Sequence, residues 1–249
     1  MLHVEHLTKR YGHLAALSEV SFSIHRGEIL GLIGPNGSGK TTLFECLGGV
    51  LPADGGAIFR PRNGANGRTQ ALTQAERTAT VFYLPDGIAP WPAETVRWAL
   101  DFTEGFFGGA LAADDARPPS ADVVSRFELE PLLDSRIGTL SKGQRKRALL
   151  AIGLLTPQPI LLADEPFDGL DLRQTREVAQ TLRHYAAAGR TMLLSIHQIA
   201  DAARVCDRFV LLSGGRTRGE GTLDELSRLA AARGAGNTTN LEEIFLALT

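Results

Sequence analysis

The chain has 249 residues, 43% of them apolar, and a formal net charge of −2, enough for one large domain and without the basic field that recruits nucleic acid or anionic lipid. No apolar run approaches the roughly 18 residues of a membrane span, and the N-terminus has no basic-then-apolar leader pattern. Cys46 and Cys206 lie far apart without a metal-like spacing and read as small buried apolar residues. The expectation is a soluble, cytoplasmic chain that reaches a membrane only through a partner.

In chain order, Leu2–Leu7 and Val20–Ile24 alternate apolar and polar, as half-exposed antiparallel strands do. The intervening Tyr11 reads first as core or turn packing, and as an adenine-stacking ring if this edge flanks a nucleotide. Glu28–Ile33 is a short apolar run of the buried parallel type. It delivers Gly34-Pro35-Asn36-Gly37-Ser38-Gly39-Lys40-Thr41-Thr42, which fits G-x-x-x-x-G-K-[ST]. Leu43, Phe44 and Leu47 then recur at helical spacing. A glycine-rich loop between strand and helix curls so that backbone N–H groups face phosphate oxygens, aided by the helix dipole. Lys40 supplies a cation for β- and γ-phosphates and Thr41 a hydroxyl for magnesium. Lysine occurs only at positions 9, 40, 142 and 146, so Lys40 is not one of a crowd.

Beyond this helix, Pro52–Gly56 is a turn, Ala57–Phe59 a strand, and residues 60–70 an aperiodic surface loop. Thr73 and Glu76 form a capping box, and Val81–Leu84 is a buried strand stopped by Pro85-Asp86-Gly87. Residues 94–107 are helical and aromatic-rich, with most of the aromatic stripe expected in the core and any exposed part suited to a protein contact. Gly108–Pro119 reads as a loop with an acidic centre and Ala121–Phe127 as a helix. The α/β pattern returns with strands at Ile160–Ala163, Thr191–Ile196 and Phe209–Leu212, the last core strand. Helices are expected at Leu172–Ala187, from His197 to Cys206, at Leu223–Ala232 and at Leu241–Leu248. Such alternation predicts a mostly parallel sheet covered on both faces, with ligands beyond the carboxyl ends of its strands. Gly34, Asp86, Asp164 and His197 all fall at such ends.

Two motifs carry further chemistry. Ile160–Ala163 delivers the adjacent carboxylates Asp164 and Glu165, whose repulsion needs an offset such as nucleotide-bound Mg²⁺. Asp164 suits magnesium and Glu165 a general base for the attacking water. Leu140-Ser141-Lys142-Gly143-Gln144 opens a helix at Arg145–Leu155. Ser141 can simply cap it, or the serine, glycine and helix N-terminus can form a second phosphate-recognition element.

In this order and spacing the set resembles the nucleotide-binding subunits of the ATP-binding cassette (ABC) family over nearly the whole chain. The resemblance implies an α/β fold: a P-loop NTPase core with a mostly parallel sheet, an N-terminal antiparallel β subdomain and an inserted α-helical subdomain. It divides one domain into core and β subdomain (1–85 and 156–221), helical subdomain (86–155) and C-terminal helices (222–249). Tyr11 takes the adenine-stacking position, Gly34–Thr41 the phosphate loop, Ser141, Gly143 and Gln144 the signature motif, Asp164 the magnesium aspartate and Glu165 the catalytic glutamate. Gly169-Leu170-Asp171 matches the interdomain loop and His197 the switch histidine at the γ-phosphate. Further implications are ATP and Mg²⁺ as cofactors, and a head-to-tail pair of subunits with ATP between one phosphate loop and the other signature. Transmembrane permease subunits are the implied partners, with no nucleic acid and a peripheral place on the inner face of the cell membrane.

Two positions depart from the family pattern. Lys142 replaces the commoner glycine. Asp86 stands where the family usually has glutamine, sometimes glutamate, contacting magnesium and attacking water; being shorter and adding a negative charge beside Glu165, it is expected to weaken basal hydrolysis or to couple through an intervening water. The tail Asn240–Thr249 and the stretch Pro85–Gly108 resemble exporter-type members. An importer ATPase and a soluble ABC ATPase without a transport role stay open. A purely regulatory nucleotide switch would require loss of the Glu165 chemistry.

Overall fold

A computed structural model describes residues 2–61, 69–108, 118–234 and 238–249. The N-terminal part forms an antiparallel sheet from β1 (Leu2–Tyr11), β2 (Leu14–Ile24), β4 (Gly55–Pro61) and β5 (Thr69–Ala71), in spatial order β2-β1-β4-β5. The second sheet holds β3 (Ile29–Ile33), β6 (Val81–Leu84), β7 (Ile160–Asp164), β8 (Thr191–Ile196), β9 (Arg208–Ser213) and β10 (Arg216–Gly221), in order β10-β9-β3-β8-β7-β6. Every pairing in it is parallel except β9 with β10.

The continuous apolar runs of β3, β7, β8 and β9 follow from burial on both faces. Successive side chains point to opposite sides, so Leu30, Leu32, Leu162, Leu193, Val210 and Leu212 enter one core while Ile29, Ile33, Leu161, Met192, Leu194 and Phe209 enter another. The first core also takes Leu7, Leu17, Val20 and Phe22 from the antiparallel sheet and Leu43, Phe44 and Leu47 from α1 (Lys40–Leu47), which links the two sheets. The second core is covered by α5 (Lys142–Leu154), α6 (Leu172–Ala187), α7 (Ile199–Val205), α8 (Leu223–Ala232) and α9 (Leu241–Leu248). The short α2 (Gln74–Thr80) precedes β6, and α3 (Val96–Gly108) and α4 (Ser120–Arg126) pack on α5. This is the expected α/β class. Among the described residues no helix is long and apolar enough to cross a membrane.

Several elements depart from expectation. β1 and β2 extend to the Gly12 turn. His6 and Glu19 take positive φ (50° and 57°), and the register shifts between Val4 and Leu7 and between Leu7 and Lys9 interrupt the alternation that marks a regular strand. β5 occupies the end of the expected 60–70 loop, whose residues 62–68 lie outside the described ones, as do 109–117 of the expected Gly108–Pro119 loop. β9 is followed by the antiparallel edge strand β10, joined through Gly214-Gly215, both at positive φ. The aromatic expectation is reversed: Val96, Ala99, Leu100 and Thr103 form the buried stripe of α3, while Trp98, Phe102 and Phe106 are 38%, 41% and 69% exposed. Trp98 and Phe102 stack with ring centroids 5.0 Å apart, and Trp91 meets both edge-on.

Candidate functional site

The parallel strands bring Gly34, Asp86, Asp164 and His197 to one edge. Gly34 leaves β3 in a backbone position with no room for a side chain, since a Cβ would lie 2.3 Å from the Leu212 carbonyl oxygen. Pro35 and Asn36 are exposed, and Gly37 and Gly39 turn the loop at φ of 78° and 103°. Gly39 caps α1 without any side-chain hydrogen bond, so the first-turn N–H groups face the loop without a side-chain cap. Ser38 is 2% exposed and its buried hydroxyl has no hydrogen-bond partner. Buried Lys40 reaches back across the loop, donating to the Gly34 carbonyl at 2.8 Å and the Pro35 carbonyl at 3.4 Å. Its ammonium lies 4.0 Å from Glu165 Oε1. A buried orphan hydroxyl, a buried cation and an uncapped helix N-terminus fit an incoming phosphate chain.

The carboxylates at the end of β7 are fixed by α1 and by the neighbouring strand β8. Thr41 Oγ1 donates to Asp164 Oδ2 at 3.0 Å, and Ser195 Oγ, fully buried in β8, donates to Asp164 Oδ1. The same Ser195 oxygen accepts the Glu165 N–H at 3.1 Å. Glu165 sits at φ 49°, an uncommon backbone for a non-glycine residue, and its Oε2 lies 2.6 Å from His197 Nδ1. Thr42, the next residue of α1, is half-buried. A threonine hydroxyl beside a positioned carboxylate is the oxygen set that Mg²⁺ takes from protein when phosphates complete the shell. Among the described residues no cluster of three or more His, Cys, Asp or Glu could hold a metal ion.

Asp86 follows β6 and lines, with Thr41, Tyr83 and Asp164, a cavity of about 480 Å³. Its Oδ1 accepts a 2.7 Å hydrogen bond from Lys146 of α5. Burial works to raise the Asp86 carboxyl, but the hydrogen bond and charge of Lys146 outweigh it and hold the group below the usual carboxylate range. The extra negative charge expected of this aspartate is therefore balanced within the chain.

Ser141–Gln144 opens α5. Ser141 caps α5 through a capping box with Gln144, accepting from the Gln144 N–H at 3.2 Å while Gln144 Oε1 accepts from the Ser141 N–H at 2.9 Å. A Cβ on Gly143 would lie 2.7 Å from the Gly169 carbonyl oxygen, so the motif packs tightly on the turn that contains Asp171. Asp171 caps α6 with Gln174. Lys142 is tied to Asp168 rather than standing free. Among the described residues, no hydrogen bond joins Ser141–Gln144 to the phosphate loop. Tyr11, at the tip of β1, is 48% exposed with the Lys9 ammonium 5.9 Å from its ring centroid, which removes the reading of it as core packing.

A family model described as the ABC transporter matches residues 17–168, more than half the chain. The chain belongs to the ABC transporter family. The Nod factor export ATP-binding protein I of Burkholderia orbicola (strain AU 1054) is 34% identical over 86% of this chain and 68% of its own length. A solved ATP-binding subunit of an ABC transporter is 31% identical, covers 100% of this chain and 99% of its own, and superposes with a TM-score of 0.81. A bacterial ABC transporter cassette solved in a dimeric structure is 25% identical over 89% of this chain and 98% of its own, with a TM-score of 0.72. This ABC protein is thus an ATPase, the ATP-binding and ATP-hydrolysing subunit of a transporter. Subunits of the family dimerise and work with transmembrane permease components. Sequence reasoning missed two residues of the site in this ABC subunit, Ser195 and Lys146. The register that sets Asp164 opposite Ser195 reveals the first, and only the packing of α5 beneath β6 and β7 reveals the second.

Proposed function

We propose that two copies of this chain, or this chain and a related subunit, close head to tail on ATP and drive export through separate membrane subunits. The observation that carries this reading is the contrast in wiring: Thr41, Asp164, Ser195 and Glu165 are bonded to one another, while among the described residues no hydrogen bond joins the Ser141–Gln144 capping box to the phosphate loop. In the proposed site, residues 34–42 wrap the phosphates and Lys40 neutralises the β- and γ-phosphates. Thr41 and Asp164 would hold Mg²⁺, which when bound screens phosphate charge and orients the terminal group. Glu165 polarises the attacking water as general base, with His197 fixing its carboxylate and facing the γ-phosphate. Tyr11 stacks on the adenine. Ser141, Gly143, Gln144 and Asp171 of the second subunit complete the site, so that ATP joins the interface and hydrolysis releases it.

The division proposed is a core with a β subdomain (1–85 and 156–221), a helical subdomain (86–155) and C-terminal helices (222–249). The exposed Trp91, Trp98 and Phe102 cluster gives the helical part an apolar surface suited to a permease at the inner face of the membrane. Export follows the relative named for Nod factor export.

Trans-complementation tests the shared site. Lys40→Ala and Ser141→Arg variants are each expected to lack turnover, one for its phosphate loop and one for its signature. Equal mixing gives mixed dimers with one intact site and recovers up to about a quarter of the wild-type rate. Absence of any recovery across protein concentrations, with both variants folded, overturns the head-to-tail site.

A further inference from the structure

Lys146 is 5% exposed and has no role in the reading above. Its ammonium donates to Asp86 Oδ1 at 2.7 Å and to the main-chain oxygen of Asp164 at 3.3 Å. One cation therefore joins the loop after β6, the end of β7 and the helix that Ser141 caps. A buried ammonium is costly unless paired, and Asp86 is the carboxylate that pairs with it. Asp164 shares a cavity with Asp86, and its own two oxygens are already engaged by Ser195 and Thr41. Without Lys146, Asp86 would keep only the Gly87 N–H as a hydrogen-bond partner and would be a further carboxylate with no cation bonded to it, lining the cavity where Thr41 and Asp164 meet.

We propose that Lys146 is a positioning residue that withholds Asp86 from magnesium, holding it on the signature helix and leaving the metal to Thr41 and Asp164. The same contact makes any shift of α5 felt at the Asp164 backbone. Asp86 is thereby reassigned from metal contact to the anionic half of a latch between the signature helix and the metal strand. This inference rests on the ATP–magnesium site proposed above.

The test measures Mg²⁺ dependence of binding of a fluorescent N-methylanthraniloyl-ATP, alongside steady-state turnover. Lys146→Met frees Asp86, so the half-saturating Mg²⁺ concentration is expected to fall by about threefold or more, as an added nearby anion would cause. Turnover should fall with the KM for ATP little changed, because the displaced metal affects chemistry more than binding. The double variant Asp86→Gln/Lys146→Met should return the Mg²⁺ dependence to within about twofold of wild type and recover part of the turnover, the signature of a coupled pair. Loss of packing alone cannot tighten magnesium and then be reversed by a second substitution. Asp86→Gln alone should leave the Mg²⁺ midpoint in place while lowering thermal stability through the unpaired Lys146. An Asp86→Gln variant that needs more Mg²⁺ makes Asp86 a metal ligand and overturns the inference, and that arm decides even if Lys146→Met fails to fold. A folded Lys146→Met with an unchanged midpoint overturns it equally. A wild-type chain whose nucleotide binding ignores Mg²⁺ would instead overturn the underlying site.

Discussion

The phosphate loop and the signature turn both present a helix N-terminus, yet they are secured in different ways. Around Gly34–Thr42, side chains from two parallel strands, β7 and β8, and from α1 are bonded together: Thr41 and Ser195 hold Asp164, and Ser195 holds the Glu165 backbone. Around Ser141–Gln144 the side-chain bonds are fewer, the capping box within the helix start and one ion pair from Lys142 to Asp168 in the turn after β7. Charge is buried at the first site, where Lys40 and Asp164 are 7% and 5% exposed, whereas Ser141 and Lys142 lie at the surface. A buried, cross-linked charge arrangement is organised before its ligand arrives and needs little reorganisation. A surface cap is cheap to maintain without a ligand and available to another molecule. The asymmetry suits a site whose chemical half lies within one chain and whose closing half comes from a second.

The most severe way to break the chemical half is Glu165→Gln. A general base contributes about 10²–10⁴ in rate, so turnover should fall by roughly that factor. Binding should persist, since Lys40 and the loop are untouched and loss of the Glu165 charge relieves repulsion with phosphate. With ATP and Mg²⁺ the variant should accumulate as a dimer by size-exclusion chromatography with light scattering. A variant that hydrolyses at the wild-type rate removes Glu165 from the base role, and one that stays monomeric in saturating ATP counts against closure by nucleotide.

The signature half is sharpened by pairing two equivalent caps. Ser141→Ala and Thr73→Ala each remove a serine or threonine from a complete capping box at a helix start. Each should cost about 1 kcal/mol of stability by chemical denaturation. Only Ser141→Ala should also weaken ATP-dependent dimerisation of the Glu165→Gln protein, by about tenfold in the concentration needed. Equal effects of both variants on dimerisation would reduce Ser141 to a cap and nothing more.

Legibility in the sequence divides along the same line. α6, β8, α8 and α9 fall at their expected bounds because apolar runs and capping residues such as Asp171, Thr222 and Asn240 punctuate them locally. The phosphate loop is legible because its glycines and lysine are adjacent in the chain. The second half of β1 is hidden by bulges, and β10, Arg-Thr-Arg-Gly-Glu-Gly, by a charged edge-strand composition, although Gly214-Gly215 was a usable hairpin signal. In α3 two stripes compete at helical spacing, and the one with Val96, Ala99 and Leu100 turns inward instead of the aromatic one. Ser195 and Lys146 matter through strand register and helix packing, which no local pattern records. Asp86 departs visibly from the family pattern, but its charge partner lies on another element 60 residues away.

The smallest expected effect tests whether the antiparallel sheet belongs to the site at all. Tyr11 ends β1 opposite Leu14, and β2 passes close to the phosphate loop, since a Cβ on Gly39 would lie 2.6 Å from the Ala16 carbonyl oxygen. An aromatic ring exposed at that edge offers a face for a base. Stacking of this kind contributes about 0.5–1.5 kcal/mol, so Tyr11→Ala should weaken ATP binding by about two- to tenfold, while Tyr11→Phe keeps the ring and most of the affinity. Binding of GTP should weaken in parallel, because a ring face does not distinguish purines by their edge groups. Stability by denaturant should move by no more than about 0.5 kcal/mol, as for an exposed residue outside the core. The opposite pattern, lost stability with unchanged nucleotide affinity, would return Tyr11 to a packing role and confine the nucleotide's contacts to the parallel sheet.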